Sequence, residues 1–208
     1  MERILKKRVV PVVTLERLED ALPVADALLA GGLDIIEVTF RTAAAESCVR
    51  SIRNAHPEML IGAGTLLEVA QVRRAREAGA DFGVAPGLNE TVVRSAAEMG
   101  MPFVPGVMTP SEVERALALG CKLQKFFPAS VAGGLEMVKA LTGPYGPTGL
   151  RLIPLGGVNA KNAMEYLQLP LVAAIGGSWI ADKKTIADRN WVQITARVKE
   201  ILGIVAGL

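Results

Sequence analysis

Apolar positions along the 208-residue chain alternate between two periods. Short β-branched runs at Arg8–Val13, Asp34–Thr39, Met59–Ala63, Asp81–Ala85, Pro102–Pro105, Lys122–Phe127, Leu150–Pro154 and Leu171–Ile175 are each read as a strand. Between them, apolar residues recur at helical spacing; near the C-terminus Trp191, Ile194, Val198 and Ile201 form one stripe. Thr109-Pro110-Ser111-Glu112 predicts a helix start, with a capping threonine, a proline in the first position and a glutamate in the third. Thr65-Leu66-Leu67-Glu68 has the same spacing and predicts a second capping box, and Asn159 is expected to cap a helix running through Tyr166. Gly31-Gly32, Gly79, Gly100 and Gly120 each close an Ala/Leu-rich stretch ahead of a strand. Pro23 implies that the first long helix starts near Asp20 or is kinked.

Eight mostly apolar strands, each followed by a helix, predict a closed parallel (β/α)8 barrel, the TIM barrel, as a single domain over residues 1–208. Met1–Lys7 is expected to form a short helical turn at the bottom of that barrel. An open doubly wound sheet shares the alternation, but the count reaches eight and no GxGxxG follows the first strand.

Composition then removes function classes. Half of the residues are hydrophobic, as in a globular chain, and no apolar run approaches the roughly 20 residues that span a bilayer. The N-terminus lacks the long apolar stretch of a secretory signal, so the expected address is the cytoplasm. A net charge of +2, spread without a basic stripe, argues against nucleic acid as a partner. Cys48 and Cys121 stand far apart and read as reduced thiols. A single histidine, His56, leaves no basis for a histidine metal site or a Ser-His-Asp triad.

A barrel keeps its chemistry at the C-terminal ends of its strands, so residues there that packing would not choose stand out. Strand alternation puts Ile35, Glu37 and Thr39 on one face, and Glu37 is expected to point into the barrel. Lys125 shares a face with Leu123 and Phe127, in a dry setting made by Phe126, Phe127 and Pro128. Burial disfavours an ammonium, and a neutral amine is a nucleophile. Three readings of Lys125 stand at this point: a catalytic amine, a structural ion pair with Glu37, or a solvated outward lysine. Arg41 is either a surface arginine or a clamp for a substrate carboxylate, and Thr65 either a helix cap or a site residue. The glycine-rich stretches Pro154-Leu155-Gly156-Gly157-Val158 and Ile175-Gly176-Gly177-Ser178-Trp179 are read as loops after the last two strands, where such barrels cradle phosphate.

Six segments carry a family resemblance: Glu37-Val38-Thr39-Phe40-Arg41-Thr42, Gly62-Ala63-Gly64-Thr65, Ala85-Pro86-Gly87, Pro105-Gly106-Val107-Met108-Thr109, Lys125-Phe126-Phe127-Pro128 and Gly176-Gly177-Ser178-Trp179. Taken in order, from about Val9 to Trp179, they resemble the 2-keto-3-deoxy-6-phosphogluconate (KDPG) and 4-hydroxy-2-oxoglutarate (KHG) aldolases. The resemblance implies a class I aldolase on a (β/α)8 barrel, a homotrimer with no metal and no cofactor. Its partners would be a phosphorylated 2-keto acid and pyruvate, in the Entner–Doudoroff route. It implies Lys125 as the Schiff-base residue and Glu37 as the proton shuttle. Arg41 and Thr65 would hold the pyruvate carboxylate, and Pro86, Phe127 and Leu155 would line the pocket. Gly156, Gly157, Gly176, Gly177 and Ser178 would take the phosphate. Gluconate-type members carry threonine where this chain has Leu155, and galactonate-type relatives carry an apolar residue there. Thr14 stands where some members have an arginine. The competing functions are cleavage of the galactonate epimer or of 4-hydroxy-2-oxoglutarate, a phosphate-binding barrel isomerase, and a non-catalytic phosphosugar binder.

Overall fold

The computed structural model describes residues 1–207. Its strands are β1 (Val9–Val13), β2 (Ile35–Thr39), β3 (Leu60–Gly64), β4 (Phe82–Val84), β5 (Phe103–Val104), β6 (Gly106–Val107), β7 (Leu123–Phe126), β8 (Arg151–Pro154) and β9 (Ile175–Gly177). The helices are α1 (Glu2–Lys7), α2 (Ala21–Ala30), α3 (Ala45–Ala55), α4 (Val69–Glu77), α5 (Glu90–Glu98), α6 (Pro110–Ala118), α7 (Gly134–Tyr145), α8 (Ala163–Leu167), α9 (Lys183–Ala187) and α10 (Trp191–Ala206). The result is an α/β fold on parallel strands, in the orders β5-β4-β3-β2-β1-β9 and β6-β7-β8.

Most departures from the sequence pattern have an identifiable cause. The fifth run breaks into β5 and β6 around Pro105, which has no amide to give a ladder; its carbonyl still accepts from the Lys125 amide at 2.9 Å. The eighth strand was expected at Leu171–Ile175 but runs over Ile175–Gly177, preceded by a single bridge between Val172 and Leu152. Arg8 explains the shift: its guanidinium takes the carbonyls of Leu167, Val172 and Ala173, so a side chain occupies acceptors a ladder would use. Gly176 and Gly177 are therefore strand residues, paired with Val10 and Pro11, and the loop begins at Ser178.

Two helix starts also move. Helix α4 begins at Val69, and Gln71 Oε1 reaches back to the amides of Leu67 and Glu68. Thr65 is not its cap. Asn159 does not cap α8 either; its side chain takes the Lys161 amide in a preceding turn, and Asn162 Oδ1 takes the Asn159 amide. Three other helix expectations hold. Thr109 and Glu112 form the reciprocal box on α6, and Pro23 sits in the first turn of α2, where its missing amide costs nothing. Ile194, Val198 and Ile201 are fully buried on α10. Helix α1 buries Ile4 beside the start of β2, with Arg3 and Lys7 reaching Asp34.

Side chains from the strands fill the interior. Val10, Phe82, Val84, Val104 and Ile153 leave a void of only ≈ 10 Å³ beneath Glu37, Lys125 and Leu155. That packed floor makes the layer above it a site with a dry base.

Candidate active site

Glu37 lies on β2 and Lys125 on β7, and both side chains turn inward as strand alternation requires. They are 2% and 5% exposed. Lys125 Nζ stands 3.6 Å from Glu37 Oε1, inside ion-pair range but outside a good hydrogen bond. Glu37 Oε1 is buried without any hydrogen-bond partner. Gly64 makes the room for this carboxylate, since a Cβ there would collide with Glu37 Oε1. Lys125 Nζ also lies 5.2 Å from the centre of the Phe127 ring. An isolated buried carboxylate is costly; here it faces one lysine nitrogen across a gap.

Above this pair opens a cleft of ≈ 370 Å³. Its wall brings together Arg41, Thr65, Pro86, Phe127, Leu155, Gly156, Gly157, Gly177 and Ser178, all expected from the sequence. Gly176 is not part of the wall; a Cβ on it would meet Leu155 Cδ1, so it faces the back of that side chain. Four wall residues went unassigned in the sequence: Val12, Thr39, Val158 and Trp179. Thr39 was legible as inward-facing, and Trp179 as the aromatic after Ser178.

The rim is cationic on one side. Arg41 donates from Nη2 to Thr14 Oγ1 at 2.9 Å, and Thr14 Oγ1 lies 2.9 Å from Thr39 Oγ1. Thr65 follows β3 with φ +60°, a left-handed conformation that a β-branched residue rarely adopts. Holding it costs on the order of 1–3 kcal/mol. In that conformation it lines the cleft instead of capping α4.

The opposite side is built for an anion. Gly156 and Gly157 have φ of +96° and +83°, consecutive values that non-glycine residues avoid. The carbonyls of Leu155, Gly156 and Gly157 accept from the Ala129 amide, the Ser130 amide and Asn162 Nδ2. The amides of Gly156, Gly157 and Ser178 make no backbone hydrogen bond among the described residues. Acceptors are used up and donors are left over, the arrangement that suits phosphate oxygens. Behind Ser178, Arg197 ties the Trp179 carbonyl at 2.8 Å to the Asp182 carboxylate.

The remaining candidates lie outside this cleft. His56 closes α3 and pairs with Asp26 at 2.8 Å. Burial pushes the Cys48 thiol up to about 11 and raises Cys121 as well, so both are poor nucleophiles. Among the described residues no three His, Cys, Asp or Glu side chains converge as a metal site, and no helix is long and apolar enough to cross a membrane. A second depression of ≈ 430 Å³ lies at the other end of the strands, near Met1, Phe103 and Leu123, and holds no acid–base pair.

Comparison with known proteins gives the family. The family model described as KDPG and KHG aldolase matches residues 1–197. A 2-dehydro-3-deoxy-phosphogluconate aldolase of Treponema pallidum is 45% identical over 204 residues, covering 98% of this chain and 96% of its own. The protein of the same name from Haemophilus influenzae is 42% identical over 205 residues, covering 99% and 96%. Among solved structures, the KDPG aldolase of Legionella pneumophila, with pyruvate captured as a covalent carbinolamine, superposes with a TM-score of 0.91. It is 40% identical, and the match covers 95% of each chain.

Proposed function

The chain belongs to the KDPG and KHG aldolase family, and from that premise we propose that Lys125 is the imine-forming residue of a class I aldolase. The enzyme cleaves 2-dehydro-3-deoxy-6-phosphogluconate to pyruvate and D-glyceraldehyde 3-phosphate, an aldehyde-lyase reaction. One observation carries the assignment of residues: an inward lysine amine 3.6 Å from a partnerless buried carboxylate, at the base of a cleft with a cationic rim and a donor-rich loop.

In this reading the Lys125 amine adds to the C2 carbonyl, and the carbinolamine loses water to give a protonated imine. Glu37, directly or through a water, accepts the C4 hydroxyl proton as the C3–C4 bond breaks. The bonding pair flows into the iminium, leaving an enamine on Lys125 and releasing the aldehyde. Protonation of the enamine at C3 and hydrolysis of the imine then free pyruvate and the amine. Arg41 and Thr65 hold the carboxylate, Pro86, Phe127 and Leu155 line the pocket, and Gly156, Gly157, Gly177 and Ser178 take the phosphate.

The same reading takes the strands as one closed (β/α)8 barrel and the chain as a single domain. Support comes from the continuity of β5 and β6 across Pro105 and from the Leu152–Val172 bridge between β8 and the segment before β9. A homotrimer in the cytoplasm completes it, on the resemblance alone.

Leu155 favours a second, narrower reading of specificity. It presents an apolar, largely buried side chain to the cleft where gluconate-type relatives carry a hydroxyl. We therefore propose weak discrimination between the C4 epimers, with 4-hydroxy-2-oxoglutarate as a poorer substrate for want of a phosphate. Comparing kcat/KM for the two phosphorylated epimers and 4-hydroxy-2-oxoglutarate tests both readings. The expected epimer ratio is within about tenfold of unity, and Leu155→Thr shifts it towards the gluconate epimer by a further factor of about ten, the worth of one hydrogen bond. No cleavage of any of the three contradicts the aldolase assignment; a strong ratio untouched by Leu155→Thr contradicts the role of Leu155.

A further inference from the structure

Thr14 and Thr39 form the one buried side-chain link between Arg41 and the inner wall of the cleft among the described residues. Thr14 follows β1 and is 9% exposed; Thr39 ends β2 and is 1% exposed. Arg41 itself is exposed at the rim, and its hydrogen bond goes to the neutral hydroxyl of Thr14 rather than to a carboxylate. A guanidinium tethered this way keeps its full charge for an incoming anion.

Donor chemistry fixes the first bond of this chain and favours one direction for the second. A guanidinium only donates, so Thr14 Oγ1 is the acceptor of the 2.9 Å bond from Arg41. A hydroxyl that accepts from a cation is polarised and becomes a better donor. Thr39 Oγ1 lies 2.9 Å away, and a polarised Thr14 hydroxyl favours donating to it. With that oxygen's lone pair engaged, the Thr39 proton is free to turn into the cleft that Thr39 lines. Thr39 stands two residues beyond Glu37 on the same strand face, roughly 6.6 Å up the cleft from the reacting pair. Arg41 follows two residues later.

We infer that Thr39 is a substrate-binding residue that donates to the carboxylate of the 2-keto acid, and that Thr14 is a positioning residue. Thr14 holds the Arg41 guanidinium and sets the direction of the Arg41–Thr14–Thr39 chain. One permanent charge thereby supplies two donors to the same carboxylate, the remaining guanidinium N–H groups and the Thr39 hydroxyl. The inference rests on Lys125 as the imine-forming residue, because that bond places the carboxylate next to C2 in the cleft that Thr39 lines.

The test is trapping of pyruvate on the full-length protein with borohydride, with methyl pyruvate, which lacks the carboxylate charge, as comparison. Thr14→Val and Thr39→Val keep the shape and remove the hydroxyl. Each is expected to raise the pyruvate concentration for half-maximal trapping about tenfold, as loss of a charge-assisted hydrogen bond would. The value for methyl pyruvate should stay within about twofold, and Thr14→Ser should restore the wild-type value. The double variant should fall short of the product of the single effects, since both changes break one chain. An unchanged half-saturation for pyruvate in Thr14→Val overturns the inference, and so does an equal rise for pyruvate and its ester. Wild-type protein that fails to trap pyruvate on Lys125 overturns the imine assignment, and the inference with it.

Discussion

Glu37 Oε1 is sealed from solvent and hydrogen-bonded to nothing, with Lys125 Nζ as its neighbour. A carboxylate kept only for stability would collect donors; one that must take and return protons needs its lone pairs free. Glu37→Gln keeps the volume and removes the base. Turnover is expected to fall by about 10²–10⁴ while the thermal midpoint stays close to wild type, as read by steady-state cleavage and a melting curve. Near-wild-type turnover would remove Glu37 from proton transfer. Both halves of this pair were legible in the sequence, because strand alternation put Glu37 and Lys125 on inward faces where packing would choose neither. The bond from Arg41 to Thr14 was not legible. It joins residues 27 positions apart through one hydroxyl, and no local pattern marks it.

At the scale of elements, the cleft depends on how its loops are braced from behind. Arg197 on α10 holds the Trp179 carbonyl and the Asp182 carboxylate, and so ties the loop after β9 to the last helix. Burial alone would raise the Asp182 carboxyl, but the Thr185 amide and hydroxyl and the Arg197 guanidinium outweigh it and hold it at about 2, below its ordinary 3.8. A carboxyl lowered in the folded state contributes stability that is complete above its unfolded value and is lost as pH falls through its folded value. Asp182→Asn is therefore expected to melt below wild type near pH 7, with the gap closing between about pH 4 and 2. A gap that stays constant on acidification would mean that the charge of Asp182 has no part in the brace. The same end of the chain is where strand prediction slipped. The run Leu171–Ile175 is apolar and buried like a strand, and the change is made by a distant arginine, Arg8, taking the carbonyls of Val172 and Ala173. Helix α4 moved for a related reason: Thr65 has a capping residue's identity, but it adopts a left-handed conformation and turns to the cleft.

On the scale of the whole molecule, the parallel strands act as a frame with a closed floor and a reactive upper layer. The apolar residues around a ≈ 10 Å³ void exclude water from below. The inward charged pair and the donor-rich loop sit above, at the C-terminal strand ends. The alternation of β-branched runs with helical stretches made this frame readable, since burial on both faces leaves an almost unbroken apolar signal. The loops were readable only as places, because the geometry of Gly156 and Gly157 depends on contacts from Ala129, Ser130 and Asn162. The central claim is that this frame aims one amine at a keto acid. Its most direct test is borohydride reduction in the presence of pyruvate, followed by peptide mass spectrometry. The account predicts a stable adduct on Lys125, and neither adduct nor cleavage in Lys125→Ala. An unmodified Lys125 in protein that is turning over substrate would contradict it.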